Sequence, residues 1–444
     1  MKDLIIIGAG PGGFDAALYA AKNNLETVLI EAHKVGGTCL NWGCVPTKAL
    51  YQNAKAIHQA THVSTFGVIQ DAFHLDFDLI KTRKEAIVDA QIKGIHQSIK
   101  AQKVTFIEGK GQIINPNEVK VNDEIIKAKH IIIATGSNSK KLAFPGDDLP
   151  IIKTSKSILD LDVFPKKLLV VGAGVIGTEM AQIFKAFGAE VTLIDFAEEI
   201  LMTEDVDIRK RARNLFKRAG LDIHTNASLK EVVKAANTYL ARFETKKGLV
   251  ELEVDMVLLA VGRTPNFGDL NLEGIKHTSQ GIMVNENKQT SVPNIYAIGD
   301  VNAELMLAHK ATYDGYRAVN HILKKADAIN FDLVPSVIFT HPLIASVGRR
   351  EDDLNKEDIH SVKALYKGNA KAVSMDETDG FVKLITDKNH VLIGAHIIGA
   401  GADYMIHELT TLINLKKTVS EAHDIIHAHP TVSEIIHDAL RQLH

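Results

Sequence analysis

Cysteine and tryptophan are scarce in this chain, which has two cysteines and one tryptophan among 444 residues. So few cysteines exclude a disulfide-stapled secreted scaffold and a metal centre made of cysteine thiolates. Long apolar runs are also missing. None approaches the roughly 18 residues that a membrane-spanning helix requires, and the run at residues 4–7 is too short for the apolar core of a signal peptide. We therefore expect a cytoplasmic protein that does not enter a membrane.

A strong net charge is absent as well. The chain has 51 basic and 54 acidic side chains, with a formal net charge of −3, so neither nucleic acid nor an anionic membrane is an expected partner. The length exceeds what one hydrophobic core usually serves, so three or four domains are expected.

What the sequence does contain is an internal repeat. An apolar strand at residues 4–7 leads into the glycine-rich turn GAGPGG at residues 8–13, then a helix and a second strand that ends at Glu31. The pattern returns from residue 168, with the turn GAGVIG at residues 172–177 and a strand that ends at Asp195. The first glycine of the second copy lies 164 residues after that of the first, and the acid of the second copy also lies 164 residues after that of the first. Two βαβ units with the same internal spacing are predicted.

Each copy closes with another apolar strand and a glycine, Gly136 in the first and Gly262 in the second. The first copy spans 128 residues and the second 90, so the first is longer by about 38 residues and includes the cysteines. A strand at residues 294–298 comes next. From about Asp327 onwards, strands at 336–339, 381–386 and 391–398 precede helices, one with an apolar face at positions 402, 405, 406, 409, 412 and 413. Strands and helices that are segregated in this way predict an α+β domain.

The repeated glycine turns favour dinucleotide binding, because each follows a strand, opens a helix and is matched by a distant acid. Glycines let the backbone approach a pyrophosphate, the helix N-terminus supplies amide donors, and the acid accepts bonds from a ribose. The alternative is a pair of ordinary turns in an α/β sheet. Spacing alone does not tell FAD from NAD. In the second copy, Asp195 repels a 2′-phosphate and residues 196–199 (FAEE) contain no arginine, which favours NAD over NADP.

The segment GGTCLNWGCVPTK at residues 36–48 carries both cysteines. Pro46 suits the first turn of a helix that continues towards residue 60, so Cys44 is expected at a helix N-terminus, where the dipole stabilises a thiolate. Gly43 gives the loop the freedom to bring Cys39 within bonding range. A redox pair is predicted; the alternative is two buried free thiols.

These motifs resemble the pyridine nucleotide-disulfide oxidoreductases along essentially the whole chain, and most closely the members that oxidise dihydrolipoamide. The resemblance implies a redox-active disulfide in which Cys39 exchanges with substrate and Cys44 faces the isoalloxazine ring. It also implies that Lys48 lies near the flavin and pairs with Glu179; without the family, Lys48 is an ordinary solvated helix residue.

The same resemblance assigns FAD to the first glycine motif and NAD to the second. Gly299-Asp300 is similar to the second FAD signature, although an acid at a strand end is also an ordinary turn residue. The implied FAD-binding residues are Gly8, Gly10, Gly13, Glu31, Gly37, Thr38, Gly111, Thr135, Gly136, Asp300 and Ala308. The implied NAD-binding residues are Gly172, Gly174, Gly177, Glu179, Asp195 and Gly262.

Near the C-terminus, residues 427–434 (HAHPTVSE) resemble the general-base segment of that family. His429 is the candidate base and Glu434 the residue that orients it, because a histidine exchanges protons near neutral pH. Thr431 and Glu434 also fit a helix capping box, and that role is compatible with the catalytic one. No cluster of carboxylates or cysteines accompanies His427 and His429, so no metal site is expected. The family's base acts on the disulfide of a second subunit, which implies an obligate homodimer.

The predicted fold is α/β, with two Rossmann-like dinucleotide-binding domains and a C-terminal α+β dimerisation domain. The expected boundaries are 1–145 for the FAD-binding domain with the redox disulfide, 146–264 for the NAD-binding domain, 265–326 for a return to the central FAD region, and 327–444 for the interface domain. The sequence departs from the family's usual pattern at Leu343, where a glutamate is common, and at Arg349-Arg350, where a threonine and an acid are.

The implied activity is oxidation of protein-bound dihydrolipoamide to lipoamide with reduction of NAD+, on a lipoyl-bearing subunit of a 2-oxo acid dehydrogenase or glycine-cleavage system. Sister enzymes are the alternatives. A glutathione-type reductase would carry arginines after Asp195, a mercuric or large thioredoxin-type reductase would carry more cysteines, and a soluble transhydrogenase would lack one of the pair. A flavin-bearing structural subunit is the alternative outside enzymes.

Overall fold

The computed structural model describes residues 1–69 and 73–444. Its first part is a parallel sheet with a long helical insertion. The elements are β1 (Lys2–Ile7), α1 (Pro11–Lys22), β2 (Thr27–Glu31), α2 (Gly37–Trp42), α3 (Cys44–His62), α4 (Phe77–Ala101), β3 (Thr105–Glu108), β4 (Gly111–Asn115), β5 (Glu118–Val121), β6 (Glu124–Ile133) and β7 (Ser137–Ser139).

Strands β3, β2, β1 and β6 lie side by side in that order, and all of them run parallel. The central strand β1 is buried from Leu4 to Ile7, as expected for a parallel strand covered on both faces. Strand β6 is long enough to pair twice. Its first half continues into the antiparallel strands β5 and β4, and its second half completes the parallel sheet.

The second part repeats this design without the helical insertion. Its elements are β8 (Ile152–Thr154), β9 (Lys167–Val171), α5 (Val175–Ala186), β10 (Glu190–Asp195), α6 (Val206–Arg218), β11 (Asp222–Thr225), β12 (Ser228–Lys234), β13 (Tyr239–Thr245), β14 (Gly248–Val254), β15 (Met256–Leu259) and β16 (Arg263–Pro265). A parallel sheet has the order β11-β10-β9-β15-β8, and β12, β13 and β14 form an antiparallel meander. The predicted pair of βαβ units is confirmed.

The chain then returns to the first sheet. The elements are β17 (His277–Thr278), β18 (Gly281–Ile282), β19 (Ile295–Ala297) and α7 (Ala308–Ile322). Strand β19 pairs in parallel with β6, so that Ile295 lies opposite Ile131. Helix α7 packs on α1, where Gly12 and Gly315 permit close approach: a Cβ on Gly12 would lie 2.8 Å from the carbonyl oxygen of Ala311.

The last part is an antiparallel sheet with helices packed on it. Its elements are β20 (Ser336–Ile338), β21 (Ile344–Gly348), β22 (Ile359–Leu365), α8 (Ala370–Ser374), β23 (Phe381–Asp387), β24 (Leu392–Ile398), α9 (Ala402–Asn414), α10 (Val419–His423) and α11 (Glu434–Leu443). The strand order is β20-β21-β24-β23-β22. The apolar face predicted for α9 is confirmed, because all six of its residues are buried. Short 3₁₀ turns occupy Val63–Phe66, Ser157–Asp160, Gly299–Asn302, Glu351–Asp353, Lys356–Asp358 and Tyr366–Gly368.

Candidate active site

Both glycine turns hold their helix against the preceding strand by the same contact. A Cβ on Gly13 would lie 1.9 Å from the carbonyl oxygen of Gly8, and a Cβ on Gly177 would lie 1.8 Å from that of Gly172. No side chain larger than hydrogen fits at that distance. Each third glycine of the motif is therefore fixed by packing within the protein.

The two acids at the strand ends are also held alike. One carboxylate oxygen of Glu31 accepts from the Ala9 amide at 2.7 Å and the other from the His33 amide at 2.9 Å. Asp195 accepts from the Ala173 amide and, at 2.7 Å, from the Ala197 amide. The amide donors in the second copy therefore also lie 164 residues after those in the first. Each carboxylate is oriented by backbone amides at the mouth of its cleft.

The middle glycines leave space where a dinucleotide would approach. No atom lies within 4 Å of a Cβ built on Gly10 or Gly174. Both residues cap a helix without a capping side chain, so the first amides of α1 and α5 have no side-chain acceptor there. An open cradle with amide donors and a helix N-terminus suits a pyrophosphate. The residues present therefore fit a dinucleotide in each cleft.

Other predicted FAD residues surround the first cleft. A Cβ on Gly37 would lie 2.8 Å from the Gly10 Cα, so Gly37 and its neighbour Thr38 start α2 directly beside the first glycine turn. The Thr135 hydroxyl donates to the Asn266 carbonyl at 2.6 Å, and Gly136 has φ +70°. Ala308 is the first residue of α7. Gly111 is different: it is buried at the start of β4, where a Cβ would lie 2.9 Å from the Ile7 side chain, so packing already accounts for it.

Arg263 is a residue that the sequence reasoning missed. Its guanidinium donates to the Ser137 hydroxyl at 2.7 Å and to the Ser137 carbonyl at 2.6 Å, and the hydroxyl in turn donates to Asp300. Burial lowers the pKa of Arg263, while Asp300 and the Cys44 thiol oppose that effect. The arginine thus links Asp300 to the surroundings of the cysteines. It directly follows Gly262, so the glycine after the closing strand was the available signal.

Cys39 and Cys44 lie on neighbouring helices and are not joined by a disulfide in this structure. Cys39 lies in α2, and Cys44 is the first residue of α3, as the sequence predicted. Gly43 joins the two helices with φ −149° and ψ −111°. A hydrogen bond from Cys39 lowers the pKa of the Cys44 thiol to about 7; burial opposes this and the Lys48 charge assists it. The contact with Cys44 and burial raise the pKa of Cys39. Of the two thiols, Cys44 is therefore the one that loses its proton at the lower pH.

The predicted ion pair between Lys48 and Glu179 is confirmed. The Lys48 ammonium lies 2.8 and 3.0 Å from the two carboxylate oxygens of Glu179. Lys48 is one helical turn after Cys44 on α3, whereas the buried Glu179 belongs to α5, so the pair joins the cysteine helix to the helix of the second glycine motif.

His429 and Glu434 also meet as predicted. The ring Nδ1 lies 2.9 Å from one carboxylate oxygen, and the other accepts from the Thr431 amide at 2.8 Å. The Thr431 amide and His429 lower the pKa of Glu434, which keeps it ionised at neutral pH. Only the carboxylate half of the capping box is present, in the bond from the Thr431 amide to Glu434. The Thr431 hydroxyl donates to the Ala428 carbonyl instead, and α11 begins at Glu434 itself.

His427 has a different partner from His429. Its Nε2 lies 3.0 Å from Glu408 of α9, and its side chain is buried. Across residues 1–69 and 73–444, no group of three or more histidine, cysteine, aspartate or glutamate side chains is placed to hold a metal ion. In the same residues, no helix has both the length and the apolar character needed to cross a bilayer.

The helices that carry the two thiols lie beside the first glycine turn, through Gly37, and contact the helix of the second, through Lys48 and Glu179. Two dinucleotide-binding turns and a pair of thiols so arranged define an oxidoreductase of the disulfide type that uses two dinucleotides. The family model described as pyridine nucleotide-disulphide oxidoreductase matches residues 2–315, and the model of its dimerisation domain matches residues 334–440. The chain belongs to the pyridine nucleotide-disulphide oxidoreductase family. Its cofactors are FAD and NAD, and the dimerisation domain supports a homodimer.

Similar proteins agree with this membership. The chain is 37% identical to dihydrolipoyl dehydrogenase of Chlamydia pneumoniae over 98% of its own length and 95% of that protein's. It is 37% identical to the mitochondrial dihydrolipoyl dehydrogenase 1 of Arabidopsis thaliana, over 99% and 89%. Among solved structures, LpdA of Mycobacterium tuberculosis matches with a TM-score of 0.92 at 26% identity, with full coverage of both chains.

Proposed function

We propose that this protein oxidises protein-bound dihydrolipoamide to lipoamide and passes the electrons to NAD+. The observation that carries the proposal is the Cys44 thiol at the N-terminus of α3, lowered in pKa to about 7 and in hydrogen-bond contact with Cys39. A thiolate formed near neutral pH next to a second thiol is what a reversible dithiol–disulfide couple requires. The full-length similarity to dihydrolipoyl dehydrogenases supports dihydrolipoamide as the substrate.

In the proposed reaction, the oxidised enzyme has a Cys39–Cys44 disulfide. His429 takes the proton of the first substrate thiol, and the resulting thiolate attacks Cys39, which forms a mixed disulfide and releases Cys44 as a thiolate. The second substrate thiol then attacks the substrate sulfur of the mixed disulfide. The lipoamide disulfide leaves, and Cys39 departs with its electron pair and takes up the proton of the second thiol. Two electrons and two protons are thereby transferred from the substrate to Cys39, Cys44 and His429.

The low pKa of Cys44 makes it the better leaving group when Cys39 is attacked. Lys48 supplies positive charge one turn away, and Glu179 fixes that charge in place. Glu434 orients the His429 ring through Nδ1, which leaves Nε2 for the substrate proton. We propose that His429 of one protomer serves the cysteines of the other, because α11 packs on the sheet of the dimerisation domain while α3 packs on α4 and α5.

FAD would bind at the first glycine turn with Glu31, Gly37, Thr38 and Asp300, and NAD at the second with Asp195. When bound, they supply the two-electron path from the dithiol to the nicotinamide. Asp195 and the exposed Phe196 and Glu198 provide no cation for a 2′-phosphate, which favours NAD over NADP. The domain boundaries at residues 145, 264 and 326, the lipoyl-bearing subunit as partner and the cytoplasmic location stay predictions.

The test is a turnover assay of the FAD-loaded dimer with dihydrolipoamide and NAD+. We expect NADH formation, little reaction with NADP+, and none with glutathione in place of dihydrolipoamide. Glu434→Gln should lower kcat by about tenfold or more, because the ring loses its ionised partner. Glu421→Gln is the matched control, since Glu421 also caps a helix of this domain but contacts Lys417 and Thr418 rather than His429. Turnover with NADPH and glutathione disulfide alone would replace this assignment with a glutathione-type one.

A further inference from the structure

A short segment of the dimerisation domain reaches the cysteine helix. Residues 339–341, which follow β20 and are called here the Phe339 segment, lie where α3 and α5 pack together. The His341 amide donates to the side chain of Gln182 on α5, and the centres of the His341 ring and the His58 ring on α3 lie 3.9 Å apart with the planes tilted at 49°. The segment is therefore fixed to both helices at one end.

At its other end the segment contacts both members of the Lys48–Glu179 pair. The Lys48 ammonium lies 4.6 Å from the centre of the Phe339 ring, and the Phe339 amide donates to Glu179 at 2.9 Å. The Tyr51 ring meets the Phe339 ring edge-on, with centres 5.6 Å apart and planes at 77°. One residue thus holds the cation through its ring and the anion through its backbone.

The charges that face Cys44 come from several elements. Lys48 of α3 favours the thiolate, and Glu179 of α5 opposes it. Arg263 at β16 also interacts with Cys44, and Cys39 of α2 is in direct contact with it. Tyr51 packs against Phe339. Burial, and then the negative charges of Asp403, Glu377 and Glu179, raise the pKa of the Tyr51 hydroxyl. Because Lys48 is a long side chain and is partly exposed, its distance from Cys44 depends on what holds the ammonium.

We propose that Phe339 is a positioning residue that holds the Lys48–Glu179 pair in register with Cys44, and so links the dimerisation domain to the redox thiols. The half-buried ring face restrains the ammonium, while the backbone amide donates to the same Glu179 oxygen that accepts from Lys48 at 3.0 Å and so fixes the carboxylate to which the ammonium is bound. Phe339 touches neither sulfur nor substrate in this role. It acts through Lys48.

The experiment uses the FAD-loaded dimer with Cys39→Ser, in which Cys44 is the sole remaining cysteine of the chain. Iodoacetamide reacts with the thiolate, so the pH dependence of the alkylation rate, followed by mass spectrometry, gives the midpoint for Cys44. Phe339→Met keeps the volume and removes the ring. Trifluorophenylalanine at position 339 nearly keeps the shape of the ring and weakens its negative face. This variant therefore tests the contact in a folded protein even if Phe339→Met disturbs the packing. Phe381→Met is the matched control, because its buried ring also lies under a lysine ammonium, that of Lys363.

We expect both changes at position 339 to raise the midpoint and slow alkylation below it by about threefold, as loss of one cation–π contact implies. Phe339→Tyr should keep the parent profile, as should Phe381→Met. Equal midpoints in all variants, a shift with methionine alone, or the same shift in Phe381→Met would overturn the proposal. The inference rests on the proposed role of Cys44. Failure of this inference can be told from failure of the proposed function, because alkylation of Cys44 is measured without substrate, whereas the function is tested separately by dihydrolipoamide turnover.

Discussion

The two halves that contain the glycine motifs have the same dinucleotide-binding geometry. They differ in the length of chain inserted after the acid. In both halves, the carboxylate at the end of the strand accepts from the amide of the residue after the first glycine. It also accepts from the amide of the residue two positions after the acid itself. After Glu31 the chain enters α2, α3 and α4, whereas after Asp195 it passes through α6 alone before the next strand. The duplicated scaffold supplies nucleotide binding, and the insertion in one copy supplies the thiols.

The strongest way to break this comparison is to remove the chemistry of the insertion alone. Cys44→Ser should lower dihydrolipoamide turnover by at least about 10³-fold, because the leaving thiolate is lost. FAD content and NADH binding should stay at the parent level, since both clefts lie outside the substituted side chain. Steady-state assays normalised to bound flavin measure the effect. Turnover within about tenfold of the parent would make the insertion non-catalytic.

A pair of matched substitutions separates the two clefts. Gly13→Ala should yield protein with little FAD, and Gly177→Ala should retain FAD but raise the KM for NAD+ by about tenfold or more, because each Cβ meets a carbonyl oxygen at less than 2 Å. Absorbance of the purified proteins and NAD+ titrations are the measurements. The same cofactor affected by both variants would contradict the assignment of one dinucleotide to each half.

The acids sharpen the comparison further. Asp195→Ser should raise the KM for NAD+ by several-fold and leave that for NADP+ unchanged or lower, because the anionic acceptor that repels a 2′-phosphate is removed. Glu198→Gln, an exposed change in the same segment, is the control and should have no effect on either constant. A loss of selectivity in the control equal to that in Asp195→Ser would place discrimination elsewhere.

The smallest expected effect concerns stability of the inserted helix α3 in acid. Burial, with the neighbouring charges of His58 and His62, lowers the pKa of His341 to about 4. The folded state therefore loses stability as pH falls below the ordinary value of about 6.5, by about 1 kcal/mol between pH 7 and pH 5.5. Denaturant unfolding at the two pH values should show a smaller difference for His341→Asn than for the parent. The exposed His33→Asn should behave as the parent does.

Sequence patterns predicted the elements whose residues are buried in a regular period. The apolar strands before each glycine turn, the buried face of α9 and the start of α3 near Pro46 all follow from local chemistry. Helix α4 was not among the predicted elements: Ile92, Ile95 and Ile99 recur at helical spacing and pack on the core, but only Lys84 and Ile99 of its 25 residues are buried. The meander β12–β14 escaped notice for a similar reason, since most of its residues are partly or fully exposed.

Site residues separate along the same line. The family motif marks Cys39, Cys44, His429 and Glu434, whose partners lie within five residues in the chain. Arg263 and Phe339 act through contacts with residues 126 and 160 positions away. Gly262 is the one local signal for Arg263, and nothing local distinguishes Phe339 from other phenylalanines. The pairing of Lys48 with Glu179, 131 positions apart, came from the resemblance and not from spacing.

The most direct test is a count of free thiols in the FAD-loaded dimer, without oxygen, before and after one equivalent of NADH. Unfolding in guanidinium with a thiol reagent exposes every cysteine to titration. If Cys39 and Cys44 form the redox couple that communicates with the nicotinamide, the oxidised protein has no free thiol and the NADH-treated protein has two per chain. Two thiols in both states, or none gained on reduction, would contradict the account.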